Sequence, residues 1–171
     1  SIPTMELSKI LSVATAPAQH RYESAELLSF MDRFIDDPIA LRKLKFIWRE
    51  SGIQSKHSVL PDFKEGHVGR LFTDLASQPT TKARMDIFES ESLALGSQVA
   101  SKAISDAHIR PDDIDAIITV SCTGMSAPGL EIQLAESLGL RKDIDRHAVN
   151  FMGCYAAFHG MRLADLICQK S

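Results

Sequence analysis

The chain has 171 residues, of which 44% are hydrophobic and 24% charged, and its formal net charge at pH 7 is −3. This length and composition are typical of a globular domain with an apolar core. The acidic balance disfavours a nucleic-acid-binding surface, which needs clustered basic residues. No apolar run approaches the roughly 20 residues of a membrane span, so no membrane association is expected. The first residues lack the basic and apolar regions of a secretory signal, which predicts a cytoplasmic protein.

The first half of the chain predicts one strand, two helices and a long loop. Residues 10–16 form an apolar run that predicts a short buried strand. Ser24 suits the N-cap of a helix that ends near residues 36–38, and a second helix ends at residues 51–52. The remaining predicted features are an extended segment over residues 53–60 and a surface loop over residues 61–81, with one helical turn at residues 70–72.

The second half alternates between helices and strands. In chain order the predicted elements are a helix over residues 82–108, a strand over 114–120, a helix over 130–138, a strand over 148–152 and a helix over 155–169. This alternation predicts an α/β fold with a mainly parallel sheet and helices on both faces. Apolar residues cover most of the circumference of the last helix, which predicts that further structure covers it.

The three cysteines, Cys122, Cys154 and Cys168, are odd in number and widely spaced. This arrangement predicts neither a disulfide framework nor a metal site, and reduced thiols are expected. For Cys122 and Cys168 we expect small buried side chains, because free cysteine commonly occupies protein cores.

Cys154 lies where the last predicted strand meets the last predicted helix. The free N–H groups and the positive dipole end at a helix N-terminus favour a thiolate. A thiolate there is a nucleophile, and the neighbouring N–H groups can stabilise an oxyanion. The alternative is a buried structural thiol. His159, five residues later, does not share a helix face with Cys154, so we expect a packed helix residue rather than a general base.

The residues around Cys154 resemble the nucleophile elbow of type III polyketide synthases, the chalcone-synthase-like enzymes of the thiolase superfamily. The matching segments are Asn150–Ala157, Ser121–Gly124, Ala127–Gly129, Gln133–Leu134, Leu138–Leu140, and Ser51–Ile53 with Lys56–His57, and Ile10–Pro17 resembles the first strand and turn of the family. The resemblance implies that residues 1–171 form the N-terminal half of a thiolase-like fold. It also implies that the C-terminal half is absent from this sequence.

The resemblance further implies an acyltransferase. Such enzymes load an acyl group from an acyl-CoA starter onto the cysteine and extend it with malonyl-CoA by decarboxylative Claisen condensation. A thiolate suits thioester exchange, and the enolate that forms needs hydrogen-bond donors in a dry pocket. In the family these donors are a His and an Asn downstream of the cysteine, outside this sequence. A homodimer is implied, the coenzyme A esters are substrates, and neither a cofactor nor a metal is implied.

The resemblance assigns roles to four residues besides Cys154. Lys56 would contact the coenzyme A phosphates, in a segment that is more basic in plant relatives. Thr123, Gly124 and Ala127 would line the starter pocket and the dimer contact, with Ala127 in place of the methionine of plant relatives. Two other condensing enzymes of the superfamily, ketoacyl-ACP synthase III and hydroxymethylglutaryl-CoA synthase, remain alternatives. A third alternative is an inactive fragment that acts only in assembly.

Overall fold

A computed structural model describes residues 8–66, 69–73 and 78–169. The chain divides into two compact units, which we name the aromatic unit (Pro17–Arg84) and the elbow unit (Ser1–Ala16 with Met85–Ser171). The strands are β1 (His20–Glu23), β2 (Ser55–Ser58), β3 (Ala116–Ser121) and β4 (Asp145–Asn150). The helices are α1 (Ser24–Asp32), α2 (Pro38–Glu50), α3 (Thr81–Asp106), α4 (Leu130–Ser137) and α5 (Ala156–Cys168).

The core of the aromatic unit is a cluster of rings. Tyr22 and Phe30 are only 2% and 3% exposed. The Phe63 ring meets both of them edge to face, with centroids 5.4 Å from Tyr22 and 4.8 Å from Phe30. Burial raises the pKa of the Tyr22 phenol, and its hydroxyl donates to the Leu60 carbonyl at 2.7 Å. Strands β1 and β2 pair antiparallel beside this cluster.

Local signals account for the first two helices. Glu23 and Glu26 form a reciprocal capping box at the start of α1. The Asp37 carboxylate accepts from the Ile39 N–H, with Pro38 as the first residue of α2. Both helices confirm the prediction, but the predicted N-cap is wrong, because Glu23 caps α1 and Ser24 is the first residue of the helix. The predicted helical turn at residues 70–72 is wrong, because the buried Asp62 carboxylate instead accepts the N–H groups of residues 71 and 72 at 2.8 and 2.7 Å.

The elbow unit has the predicted α/β arrangement. Strands β3 and β4 pair in parallel, in register from Ala116↔Asp145 to Ser121↔Asn150. Ile118 and Val120 face Gly160 of α5, whereas the alternate residues Thr119 and Ser121 line a cavity beside the start of α4. Since alternate residues of a strand point to opposite faces, α4 and α5 cover opposite faces of this sheet.

The strand predicted over residues 10–16 is wrong. Within residues 8–66, 69–73 and 78–169 they pair with no strand, and Ile10, Leu11 and Val13 are 72%, 67% and 79% exposed. The segment is tied to α3 through the Ser12 hydroxyl, which donates to the Ala103 carbonyl at 2.7 Å. Ser12, Ala14 and Ala16 are half-buried and alternate with exposed residues, so the described residues cover only one side of this segment.

Each of the helices α1 to α5 contains charged residues. Across residues 8–66, 69–73 and 78–169, none of them combines the length and apolar character that a bilayer crossing requires.

Candidate active site

A sharp turn connects β4 to α5. Phe151 and Gly153 both adopt left-handed conformations, with φ of 56° and 90°, a region that glycine enters freely and other residues rarely enter. The Phe151 N–H donates to the Ser121 carbonyl at 3.0 Å, and the Ala156 N–H donates to the Gly153 carbonyl at 3.0 Å. These bonds tie the turn to the end of β3 and to the start of α5.

Cys154 lies inside this turn, two residues before α5 begins at Ala156. The predicted position at a strand-to-helix junction is therefore confirmed. Its thiol is free and exposed, so the alternative of a buried structural thiol is wrong. An exposed position near a helix N-terminus is one of the environments in which cysteine thiols act as nucleophiles.

Cys122 lies beside the turn and makes contacts that the sequence did not predict. Its thiol donates to the Gly153 carbonyl at 3.3 Å and accepts from the Gly153 N–H at 3.2 Å. Cys122 and Cys168 are both exposed, so the prediction that they are buried is wrong. The contact with Gly153 bridges 31 positions of sequence and depends on the parallel register of β3 and β4, which local patterns do not reveal.

The loop after β3 carries three of the predicted site residues. Gly124 is buried and packs against the Phe88 ring, where a Cβ atom would lie 2.6 Å from Cγ. Thr123 is exposed, and its N–H donates to the Ser121 hydroxyl at 3.4 Å. Ala127 is exposed beside a cis proline. The structure therefore brings Thr123, Gly124 and Ala127 into the same unit as Cys154.

A cavity of about 250 Å³ lies behind this loop. Gly124 and Ser126 line it from the loop, and Asn150 lines it from the end of β4. Gln133 of α4 holds the loop, because its amide donates to the Ser126 hydroxyl at 3.1 Å and to the Pro128 carbonyl at 2.9 Å. Cys154 is not among the described residues that line this cavity.

His159 and Lys56 complete the set of candidate residues. The His159 ring packs edge to face on Tyr155 at 5.2 Å, in keeping with a packed helix residue. Lys56 lies on β2 in the aromatic unit, where its ammonium group sits 5.1 Å above the Trp48 ring. In the part of the chain that the structure describes, no group of three His, Cys, Asp or Glu residues could hold a metal ion.

Comparisons with known proteins relate this site to one family. The sequence model described as "Chalcone and stilbene synthases, N-terminal domain" matches residues 7–171. The 1,3,6,8-tetrahydroxynaphthalene synthase of Streptomyces peucetius is 28% identical over 94% of this chain, and acylalkylpyrone synthase csyB of Aspergillus oryzae is 26% identical over 95%. The match covers 40% and 41% of those two proteins, so the chain spans about two fifths of their length.

Solved structures give the same result. The crystal structure of PKS-I from the brown alga Ectocarpus siliculosus matches with a TM-score of 0.88 at 29% identity, over all of this chain and 46% of that one. The structure of CsyB complexed with CoA-SH matches with a TM-score of 0.78 at 25% identity, over 91% of this chain and 40% of that one. The fold is therefore thiolase-like, as predicted, and the chain belongs to the chalcone and stilbene synthase family of type III polyketide synthases.

Proposed function

We propose that Cys154 is the acyl-accepting nucleophile of a type III polyketide synthase that condenses an acyl-CoA starter with malonyl-CoA units. The observation that carries this proposal is the position of Cys154. It is a free, exposed thiol within a turn of two left-handed residues at the N-terminus of α5. Left-handed conformations outside glycine cluster at functional sites, because the surrounding structure must hold them in place.

This geometry supports a loading step on Cys154. The Cys154 thiolate attacks the thioester carbonyl, a bond forms between Sγ and the acyl carbon, and the coenzyme A thiolate leaves. Negative charge develops on the acyl oxygen as the bond forms. The Cys154 N–H has no acceptor among the described residues, and the N-terminus of α5 adds its positive dipole end. Both features suit stabilisation of that oxyanion.

The extension steps require groups outside the described chain. Since the chain spans about two fifths of its curated relatives, we propose that it is the N-terminal part of a longer, cytoplasmic, homodimeric enzyme. In this proposal the remaining part supplies the His and Asn that stabilise the malonyl-derived enolate. The reaction uses coenzyme A esters as substrates and no separate cofactor.

The other predicted residues take supporting roles in the same proposal. Lys56 contacts the coenzyme A phosphates, and a related synthase of known structure binds CoA-SH. Lys56 is an exposed residue whose ammonium group lies over the Trp48 ring, a position that is accessible to an anionic ligand. Thr123, Gly124 and Ala127 border the starter pocket, on a loop that Gln133 holds in place.

Intact-mass analysis of the full-length protein after incubation with hexanoyl-CoA tests the nucleophile. We expect one acyl adduct, which peptide mapping places on Cys154. The Cys154→Ala variant should lose the adduct entirely. The matched control is Cys168→Ala, which removes another exposed cysteine from the far end of α5 and should keep the adduct.

Two results would contradict the proposal. An adduct that persists in Cys154→Ala would place the nucleophile on another residue. A full-length protein that takes up no acyl group, under conditions in which it remains folded, would favour the alternative of a non-catalytic role in assembly.

A further inference from the structure

We propose that Cys122 is a positioning residue that orients the backbone N–H of Cys154 toward the oxyanion. The inference rests on the proposed role of Cys154 as the nucleophile. It starts from the two contacts between the Cys122 thiol and Gly153, the residue immediately before Cys154.

The two contacts act on both sides of one α-carbon. The Gly153 N–H, at 3.2 Å from the Cys122 sulfur, belongs to the peptide group that joins Met152 to Gly153. The Gly153 carbonyl, at 3.3 Å from the same sulfur, belongs to the next peptide group. Because peptide groups are planar, fixing both of them restrains both backbone dihedrals of Gly153, whose φ is 90°. Glycine has no Cβ atom to limit its backbone dihedral angles. Hydrogen bonds from another residue therefore affect the backbone conformation of Gly153 more than they would affect that of a residue with a side chain.

The second peptide group includes the N–H of Cys154. In a trans peptide the carbonyl and the N–H point in opposite directions, and the cis bond found among the described residues is Ala127–Pro128. The Gly153 carbonyl points at the Cys122 thiol and at the Ala156 N–H, which donates to it at 3.0 Å. The Cys154 N–H therefore points away from both groups and stays available for a substrate oxygen.

The expected effect is intermediate in size. Removing a whole oxyanion donor from an enzyme lowers kcat by about 10²- to 10³-fold. Cys122 only orients such a donor, and sulfur forms weak hydrogen bonds. We therefore expect Cys122→Ala to slow acyl transfer to Cys154 by about 5- to 20-fold, well short of the loss of the donor itself.

Two reagents distinguish an effect of Cys122 on the orientation of the Cys154 N–H from a general effect on the structure of the turn. Hexanoyl-CoA acylates Cys154 through an oxyanion, whereas iodoacetamide alkylates the same sulfur without one. In the full-length protein, Cys122→Ala should slow acylation by about 5- to 20-fold while the alkylation rate of Cys154 changes less than about 2-fold. Cys122→Ser keeps a hydrogen-bond donor and acceptor, although the C–O bond of serine is shorter than the C–S bond of cysteine. This variant should acylate Cys154 at a rate within about 3-fold of that of the protein with Cys122.

Three results would overturn the inference. They are acylation of Cys122→Ala at the unmodified rate, equal slowing of acylation and alkylation, and failure of Cys122→Ser to recover any rate. If the unmodified protein takes up no acyl group, the proposed function fails instead. In that case, hydrogen exchange in a peptide spanning residues 150–155 tests whether the Cys122 thiol restrains the Gly153 backbone. Loss of the thiol should speed exchange of the Gly153 amide. Unchanged exchange would exclude the restraint.

Discussion

Asp143 shows how one exposed ion pair makes stability depend on pH. The Arg141 guanidinium donates to the Asp143 carboxylate at 3.1 Å and to the Asp115 carboxylate at 2.9 Å. The hydrogen bond from Arg141 holds the pKa of Asp143 below its usual value. The folded state thus binds a proton at Asp143 less readily than the unfolded state does. The resulting stabilisation is present above the ordinary aspartate pKa of about 4 and is lost as the pH falls through the lowered value.

Asp143→Asn should therefore lower the urea midpoint slightly at pH 7, and the difference from the unmodified protein should shrink as the pH falls below about 4. Urea titrations at pH 7, 5, 4 and 3 measure this trend. The effect is small because both partners of the pair are exposed to solvent. Asp36→Asn is the control, since this exposed carboxylate makes no ion pair within the described residues. A difference that stays constant across the pH range would exclude the ion pair as its cause.

At the scale of elements, the packing of α5 on β3 depends on the absence of a side chain at Gly160. A Cβ atom there would lie 2.9 Å from a methyl group of Val120. Gly96 of α3 faces the same kind of constraint, with a Cβ position 2.9 Å from a methyl group of Leu134. The two sites differ in their neighbours, because valine has a stiff χ1 angle whereas leucine can adjust two side-chain angles.

Alanine gains about 1 kcal/mol over glycine in either helix, and overpacking costs about 1–3 kcal/mol. We expect Gly160→Ala to be less stable than Gly96→Ala by about 1 kcal/mol, because Val120 cannot turn aside. Chemical denaturation of both variants measures the difference. Equal stabilities would mean that α5 shifts on the sheet without cost.

The helices could be predicted from sequence because their signals are local. Helix stop signals, proline positions and apolar periodicity predicted α1, α2, α3, α4 and α5 to within a few residues, although the N-cap predicted for α1 was wrong by one residue. The strands were less predictable, since pairing depends on distant partners. Residues 10–16 have the composition of a strand but pair with none, whereas β1 is short and polar and was not predicted.

The candidate site likewise contains one feature that local sequence predicts and one that depends on strand pairing. Cys154 could be located because a strand, a glycine and a helix follow one another in sequence. The role of Cys122 could not, because its thiol meets Gly153 only when β3 and β4 pair in register. Contacts of this kind depend on tertiary structure that periodicity does not encode.

At the scale of the whole molecule, α5 has a large apolar surface that the described residues leave exposed. Phe158, Met161 and Leu166 are 74%, 57% and 50% exposed, although apolar groups of this size are usually buried. The sequence predicted that further structure covers this helix. Together with the match to about two fifths of the curated relatives, the exposed surface supports the proposal that these residues belong to a longer polypeptide.

The mass of the native gene product tests that proposal directly. The 162 and 168 matched residues are 40% and 41% of those relatives, which are therefore about 405–410 residues long. The product in the source cells should accordingly be about 2.4 times as heavy as this 18.8 kDa chain of 171 residues. It should contain a downstream His and Asn, and should condense malonyl-CoA with a starter ester. The 171-residue chain alone should not, because it carries the proposed nucleophile without the groups that stabilise the enolate. Intact-mass spectrometry of the purified native product, followed by turnover assays of both forms, measures each point. A native product of 18.8 kDa, or turnover by the 171-residue chain alone, would contradict the proposal that a downstream part of the polypeptide supplies the His and Asn of the active site.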